Sequence, residues 1–341
     1  MKPSHLQPSP SAAAVLRWLP GTAISLILLL LILRTVDLPK TLQALRQANG
    51  LWLGLAFLIS PIWLAVRAAV WRTLLRNRPA YVDVLLSAGE GYLLNNFLPF
   101  RLGEVGRALL LSRKSALSMS AILPTILIER IVDLGFAALF LLAALPFALE
   151  SRGARAIGLL VAGLVLGGLF GLAILARFQG QAVRLFERLT LRWPVLQRGG
   201  GKALASFLSG LSVINEGRVF LPFLSWMILN WLIAWVAYFI MVRAYFPQAQ
   251  PFWGMLGLGA AALGGAIPSL PGALGTFEGA FGGALALLGG DASTALAVAL
   301  TARLYNYFNS LLFGIPGMVR DGESLPHLYA QLRALRQNLT E

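Results

Sequence analysis

The sequence predicts an all-α integral membrane protein with about six full spans and two re-entrant hairpins made of broken helices. Hydrophobic residues make up 57% of the 341 residues and charged residues 12%, and the mean hydropathy is +0.74, which excludes a soluble globular protein. Apolar runs of the roughly 20 residues needed to cross a bilayer recur along the chain. Two further apolar regions are interrupted by proline, glycine and charged residues, as expected of helices broken at membrane depth.

The elements follow in order from a polar tail, residues 1–16, which we expect to be disordered and cytoplasmic. A transmembrane domain covers residues 17–320, with full spans at 18–36, 51–74, 118–148, 154–177, 221–246 and 293–318. The first run is too long and leucine-rich for a signal peptide, so we expect it to stay uncleaved. Residues 178–218 are expected to form an amphipathic segment on the cytoplasmic surface, and 321–341 an amphipathic tail helix that includes Leu328 and Leu332.

The two interrupted regions cover residues 82–111 and 252–288. The apolar segment on each side of a break is about 10–17 residues long, which suits a half-helix better than a full crossing. We therefore predict two re-entrant hairpins. Two tight spans per hairpin are the alternative, and they would raise the count to eight or ten crossings.

The two breaks share a sequence pattern that indicates an inverted repeat. LPFRLG at 98–103 is echoed by LPGALG at 270–275, and Arg130 and Arg303 follow Pro99 and Pro271 by 31 and 32 residues. We interpret this as two related halves, about 51–148 and 221–318. The first hairpin then enters from the cytoplasm and the second from outside, with a site at the interface between the halves.

Charge and composition limit the function classes. The net charge of +14 is concentrated in the loops, which by the positive-inside rule places both termini on the cytoplasmic side of the membrane. Attraction to anionic lipid accounts for this charge, and no nucleic-acid partner is expected. The chain has no cysteine, and its two histidines lie in the polar tails, which excludes disulfides, thiolate metal sites and intramembrane histidine chemistry. We predict no cofactor, no metal and no catalytic residue.

Three ionisable residues, Glu129, Arg130 and Asp133, lie in the middle of the third span. Each costs about 2.5–3.5 kcal/mol at the centre of a spanning helix, so such residues are functional candidates by default. Arg303, with Asn306 one turn later, is the counterpart in the second half. We predict that Arg130, Arg303 and Asn306 bind substrate, while Glu129 and Asp133 balance charge or carry a proton. A buried ion pair that only locks helix packing is the alternative.

Residues at the breaks complete the predicted site. Gly103 and Gly275 each open the helix after a break, where N–H groups and the helix dipole favour an anion. Arginine suits phosphate, and we expect Arg101 to gate the cytoplasmic entry.

Four polar side chains beside the breaks have two readings each. The amides of Asn95 and Asn96 either bind ligand or form hydrogen bonds with backbone groups left unpaired at the break. The carboxylates of Glu104 and Glu278 either cap a helix or neutralise a neighbouring arginine. Arg101 is the expected partner of Glu104. For Arg107 an interfacial position is equally open.

Four segments together resemble a known family: NNFLPFRLGEVGRA at 95–108, ILIERIVDLG at 126–135, IPSLPGALGTFEGAF at 267–281 and TARLYNY at 301–307. They resemble the flippase-like transmembrane domain that forms the N-terminal part of bacterial lysylphosphatidylglycerol synthases and also occurs as free-standing membrane proteins. The resemblance covers roughly residues 20–320 and implies a role in moving lipid between leaflets. No aminoacyl-transferase sequence is present up to Glu341, so we do not expect lysyl-lipid synthesis.

The expected function is translocation of a lipid with an anionic or phosphate headgroup. The expected partners are anionic phospholipids or polyprenyl-phosphate lipids, with a homo-oligomer or a separate lipid-modifying enzyme as further partners. Because the chain has no ATP-binding motif, downhill exchange or ion coupling is left as the driving process. An integral membrane transferase acting on a lipid-linked substrate and a non-transporting scaffold for a separate enzyme are the alternatives.

Overall fold

The computed structural model describes residues 12–98, 101–148, 216–267 and 269–338, together with isolated residues between 163 and 188. These ranges contain helices and no strand, as the predicted fold class requires. The helices are α1 (Ala12–Thr35), α2 (Leu38–Gln47), α3 (Gly50–Leu74), α4 (Tyr81–Phe97), α5 (Leu102–Lys114), α6 (Met119–Ala148), α7 (Gly217–Tyr245), α8 (Pro251–Ala266), α9 (Thr276–Leu287), α10 (Ala292–Asp321) and α11 (Leu325–Asn338), with a 3-10 turn at Pro271–Ala273.

Three helices in the described ranges, α3, α6 and α7, are long and apolar enough to cross a bilayer, in agreement with three of the predicted spans. The apolar part of α1 whose side chains are described, Ala23–Thr35, is shorter than a full span. The predicted span 154–177, most of the segment 178–218 and most of the tail 1–16 lie outside the described residues. The number of full spans therefore stays a prediction.

The helix α10 differs from the apolar span predicted at 293–318. It is a continuous helix of 30 residues, yet it does not reach the apolar content of the other three. Its polar side chains face the protein: Thr301, Arg303, Asn309 and Ser310 are all buried. Burial against other helices satisfies such groups better than lipid can.

Both predicted breaks occur as interruptions between half-length helices. The helices α4 and α5 have 17 and 13 residues, and α8 and α9 have 16 and 12, in agreement with the expected half-helix lengths. Arg101 adopts φ +52° before α5, while Gly272 and Gly275 adopt φ +68° and +85° between α8 and α9. Left-handed backbone of this kind cannot continue a helix, so the helix ends at each of the two breaks.

The long helices α3 and α7 run antiparallel and define the two ends of the molecule. Asn49 N donates to Ala244 O at 2.9 Å, where α3 begins and α7 ends. Arg76 pairs with Glu216 at 2.6 Å, where α3 ends and α7 begins. We call these the Asn49 end and the Arg76 end.

The two hairpins open at opposite ends. Hairpin 1, formed by α4 and α5, opens at the Arg76 end with the C-terminus of α10, because Asp83 at its start pairs with Arg320 at 2.9 Å and Lys114 at its finish pairs with Asp321. Hairpin 2, formed by α8 and α9, opens at the Asn49 end, where Phe246 packs on Trp253 with 5.4 Å between ring centroids. The start of α10 lies at the same end, because Ser293 Oγ accepts from Asp37 N.

Two shorter helices complete the described fold. The predicted tail helix occurs as α11, and it packs Leu328 and Leu332 into a cluster with Leu93 and Leu94 of hairpin 1. The helix α2 was not predicted. Asp37 caps it by accepting from Lys40 N at 3.1 Å, and a proline follows in its first turn.

Candidate functional site

The tips of the two hairpins meet in the middle of the molecule. Arg101 Nη2 donates to the carbonyl oxygen of Gly265, which links the tip of hairpin 1 to α8. A Cβ atom placed on Gly272 would lie 3.2 Å from the carbonyl oxygen of Asn96, so the two reversals pack closely. Asn96 Nδ2 also donates to Ser310 Oγ of α10 at 2.8 Å. Arg101 and Gly265 also line a cavity beside this contact.

This cavity has a volume of about 410 Å³ and draws its walls from both halves of the chain. Its polar wall is formed by Arg67, Arg101, Glu104, Arg130, Asp133, Asn230 and Asn306. Aromatic and small apolar residues form the rest, among them Trp63, Tyr92, Trp231, Tyr238, Leu258, Ala261 and Phe277. We call it the central cavity. It has the two-sided character needed for a ligand with one polar and one apolar part.

A charge network lies behind the polar wall. Glu129 is fully buried, and its Oε1 atom lies 2.6 Å from Arg67 Nη2 and 3.1 Å from Arg107 Nη2. Arg67 also pairs with Asp133, and the Arg107 guanidinium stacks over the Trp71 ring at 4.6 Å. Buried charges of this kind persist only when opposite charges and hydrogen bonds compensate them.

Glu104 joins the network to hairpin 1, although not through its expected partner. Its carboxylate lies 3.0 Å from Arg107 Nη2 and 3.0 Å from Arg130 Nε, and Asn95 Nδ2 donates to it at 3.3 Å. The predicted pairing with Arg101 is wrong in this arrangement, because the left-handed backbone at Arg101 directs its side chain across to Gly265. The network of Arg67, Arg107 and Arg130 with Glu104, Glu129 and Asp133 is balanced in charge.

Arg101 therefore adds an unbalanced positive charge to the central cavity. Among the residues that the structure describes, no carboxylate forms an ion pair with its guanidinium, although Glu104 attracts it from a longer distance, and the residue is exposed. Arg130 is partly exposed beside it, with its Nη1 atom 3.4 Å from Asp133. An anion in the cavity would meet Arg101 as its least compensated cation.

The helix starts after the breaks differ from the prediction of open anion sites. Gly103 N donates to Asn95 Oδ1 at 2.9 Å, and Gly275 N donates to Glu278 Oε2 at 2.8 Å. Both predicted N–H donors are thus satisfied by side chains of their own hairpin. Asn95 and Glu278 act as caps, which was one of the two readings left open for each.

Arg303 holds the second break together. Its Nε atom pairs with Glu278, its Nη1 atom donates to Gly272 O at 2.6 Å, and its Nη2 atom donates to Ala273 O at 3.2 Å. The guanidinium lies over the Phe277 ring at 5.2 Å and does not line the central cavity. Its predicted contact with substrate stays a prediction, while its contact with the turn is part of the structure.

The predicted residues thus fall into two groups. Those that line the central cavity are Arg101, Glu104, Arg130, Asp133 and Asn306, with Glu129 directly behind them. Those that support the breaks are Asn95, Asn96, Gly103, Gly275, Glu278 and Arg303.

Sequence reasoning missed Arg67 and left Arg107 open as an interfacial residue. Both are 2% exposed and lie at the centre of the charge network. Arg67 lies in the second half of an apolar span, so the rule that identified Glu129 could have found it. Among the described residues, no group of three or more histidine, cysteine or acidic residues could hold a metal ion.

Comparison with known proteins places the chain in a family. A search of curated proteins and a search of solved structures gave no significant match. The family model described as the lysylphosphatidylglycerol synthase TM region matches residues 18–314. That range contains both hairpins, the central cavity and the charge network. The chain therefore belongs to the lysylphosphatidylglycerol synthase transmembrane-region family, which indicates a membrane protein with a lipid-related role.

Proposed function

We propose that this protein moves a lipid with an anionic or phosphate headgroup between the leaflets of a membrane. The observation that carries the proposal is the central cavity, which combines Arg101, an arginine without an ion-pair partner among the described residues, with a wall of apolar and aromatic residues. A phosphate group suits the planar donors of arginine. The apolar wall suits the glycerol backbone and the first methylene groups of acyl chains.

The exposed face of α6 provides the route by which a lipid reaches the cavity. Leu127 and Leu134, seven residues apart, are each 45% exposed, and Arg130 lies between them on the same face. Leu134 also lines the central cavity. A lipid at this face would insert its headgroup past Leu134 while its chains stayed outside in the bilayer.

The proposed path lowers the main barrier to leaflet exchange. Moving a charged headgroup through hydrocarbon is strongly unfavourable because no water or counterion is present there. In the central cavity, the charge network and the additional positive charge of Arg101 would replace part of the solvation that the headgroup loses. The hairpins, open at opposite ends and in contact at their tips, support alternating access from either side by movement of one half against the other.

The same proposal includes the membrane arrangement. We place hairpins 1 and 2 as re-entrant elements of an inverted repeat in a bacterial-type cytoplasmic membrane. The Arg76 end would be cytoplasmic, because Arg72, Arg76, Arg78, Arg113 and Lys114 lie there. Both termini would be on that side. We infer transport without chemical change of the lipid, so the lipid recovered after exchange should have its original mass.

Exchange of fluorescent phosphatidylglycerol between the leaflets of liposomes tests the proposal. The wild type should accelerate quenching of inner-leaflet lipid by a membrane-impermeant reagent relative to protein-free liposomes. Arg101→Gln should slow exchange by about 10–100-fold, the value of one hydrogen bond from a charged donor. The control is Arg320→Gln, which removes an exposed arginine at the Arg76 end. No acceleration by the wild type, with any anionic phospholipid or polyprenyl phosphate tested, would contradict translocation.

A further inference from the structure

A second polar group lies between α3 and α10, outside the charge network. Ser60, Tyr305 and Asn309 are 0%, 3% and 4% exposed. Both polar atoms of the Asn309 amide lack a hydrogen-bond partner in the described part of the chain, whereas the hydroxyls of Ser60 and Tyr305 lie close enough to interact with each other. A buried polar atom without a partner costs about 1–3 kcal/mol, so an unpaired amide near two buried hydroxyls indicates an additional ligand.

The packing of α3 on α10 brings these atoms to one depth. Both helices start at the Asn49 end and run in the same direction. The Phe57 ring lies 5.8 Å from the Tyr305 ring and 5.5 Å from the Phe308 ring. Ser60 comes one turn after Phe57, and Asn309 comes one turn after Tyr305. Leu64 and Phe313, the next turn of each helix, belong to one packed cluster.

Pro61 adds a backbone acceptor at the same place. Proline has no N–H group, so the carbonyl oxygen of Phe57, four residues earlier, loses its helical donor. The residues of this region thus offer neutral oxygens from a hydroxyl, a phenol, an amide and a carbonyl. Hard cations take oxygen ligands, while Mg²⁺ and Ca²⁺ sites usually include carboxylates. The group we describe has none.

From this geometry we propose a binding site for a monovalent alkali cation formed by Ser60, Tyr305, Asn309 and the Phe57 carbonyl. Tyr305 also lines the central cavity, so cation occupancy and the shape of the cavity wall share one side chain. Binding of the ion could therefore be linked to the shape of the cavity. Binding itself is independent of the proposed transport, and its failure would leave that proposal standing.

Thermal unfolding of the purified protein in sodium, potassium and choline chloride at equal ionic strength tests the site. Sodium or potassium should raise the melting temperature relative to choline, by roughly 5–10 °C once the cation exceeds its Kd about 100-fold. Ser60→Ala and Asn309→Leu should lose this response. Asn309→Leu should be at least as stable as the wild type in choline, because it removes an unpaired amide.

A neighbouring hydroxyl serves as the matched control. Ser310 is also buried, but its Oγ atom already donates to Tyr307 O at 2.9 Å and accepts from Asn96. Ser310→Ala should therefore keep the full cation response. Equal melting temperatures in all three salts, or an unchanged response in Asn309→Leu, would overturn the proposal. Retention of radioactive sodium by the wild type gives an independent reading, and its absence together with absent potassium binding would overturn the site as well.

Discussion

Removing the charge of Glu129 should expose how strongly the balanced network depends on it. Its Oε1 atom lies 2.6 Å from Arg67, 3.1 Å from Arg107 and 3.7 Å from Arg130. Glu129→Gln keeps the shape of the side chain but leaves these three arginines with two carboxylates. Breaking a buried ion pair on one side costs about 3–5 kcal/mol. For a chain of this size we expect the melting temperature to fall by roughly 10 °C.

The second substitution in this test restores the balance. Arg107 is 2% exposed and pairs with Glu104 and Glu129, so Glu129→Gln/Arg107→Gln leaves two arginines with two carboxylates. The loss in free energy of unfolding of the double variant should be smaller than the sum of the two single losses by at least about 1 kcal/mol, as expected for residues in contact. Unfolding followed by intrinsic tryptophan fluorescence in detergent provides the measurement.

Two results would refute this reasoning. Glu129→Gln could unfold within about 1 kcal/mol of the wild type, which is the range of an exposed pair. Alternatively, the double variant could lose the sum of the two single losses, which would mean that Glu129 and Arg107 do not interact.

Further predictions concern the breaks and the tail. Arg303→Gln should lower the free energy of unfolding by about 3–5 kcal/mol, because it removes the contacts of Arg303 with Glu278 and the 3-10 turn. Arg320→Gln, at an exposed position, should change it by less than about 1 kcal/mol. Equal melting temperatures for the two variants would contradict this. Gly103→Ala should destabilise hairpin 1, because an added Cβ would collide with the Gly91 carbonyl oxygen and lie 2.6 Å from the Asn95 side-chain oxygen. A lower melting temperature should show this, and an unchanged one would contradict it. Leu328→Ala should cost about 2–5 kcal/mol if α11 is a structural part of the fold, and no change in thermal unfolding would show that it is not.

The positions of the breaks were predictable because local sequence determines them. Proline and glycine within an apolar run act over a few residues, and the positive φ values at Gly272 and Gly275 are what such residues permit. The capping of α2 was equally local, since Asp37 precedes a leucine and a proline. It was missed because its ten residues are too polar for a span.

The partners of the charged residues were not predictable to the same degree. Arg67 and Glu129 are 62 residues apart in sequence and meet only because α3 packs near α6. Arg101 and Glu104 are only three residues apart in sequence and form no ion pair, because the backbone at Arg101 turns the side chain toward hairpin 2. Pairing of this kind depends on helix packing, which one sequence does not specify.

The same difference between local sequence and helix packing explains why some predicted site residues line the central cavity while others support the breaks. Arg130 and Asp133 were predicted as site residues from burial cost, and they line the central cavity. Arg303 was predicted on the same ground by its matched position, yet its guanidinium contacts the turn of its own half. Matched sequence positions in the two halves therefore have different contacts within the protein.

The central claim is that lipid headgroups pass through the cavity beside α6, and a labelling experiment tests it most directly. The chain has no cysteine, so a single introduced thiol is unique. Leu134 and Leu127 are equally exposed on the same face of α6, but only Leu134 lines the central cavity. We would compare phosphatidylglycerol exchange by Leu134→Cys and Leu127→Cys proteins before and after reaction with a bulky maleimide. The account predicts that the label stops exchange at position 134 and leaves it unchanged at position 127. Exchange that survives complete labelling at position 134 would contradict it.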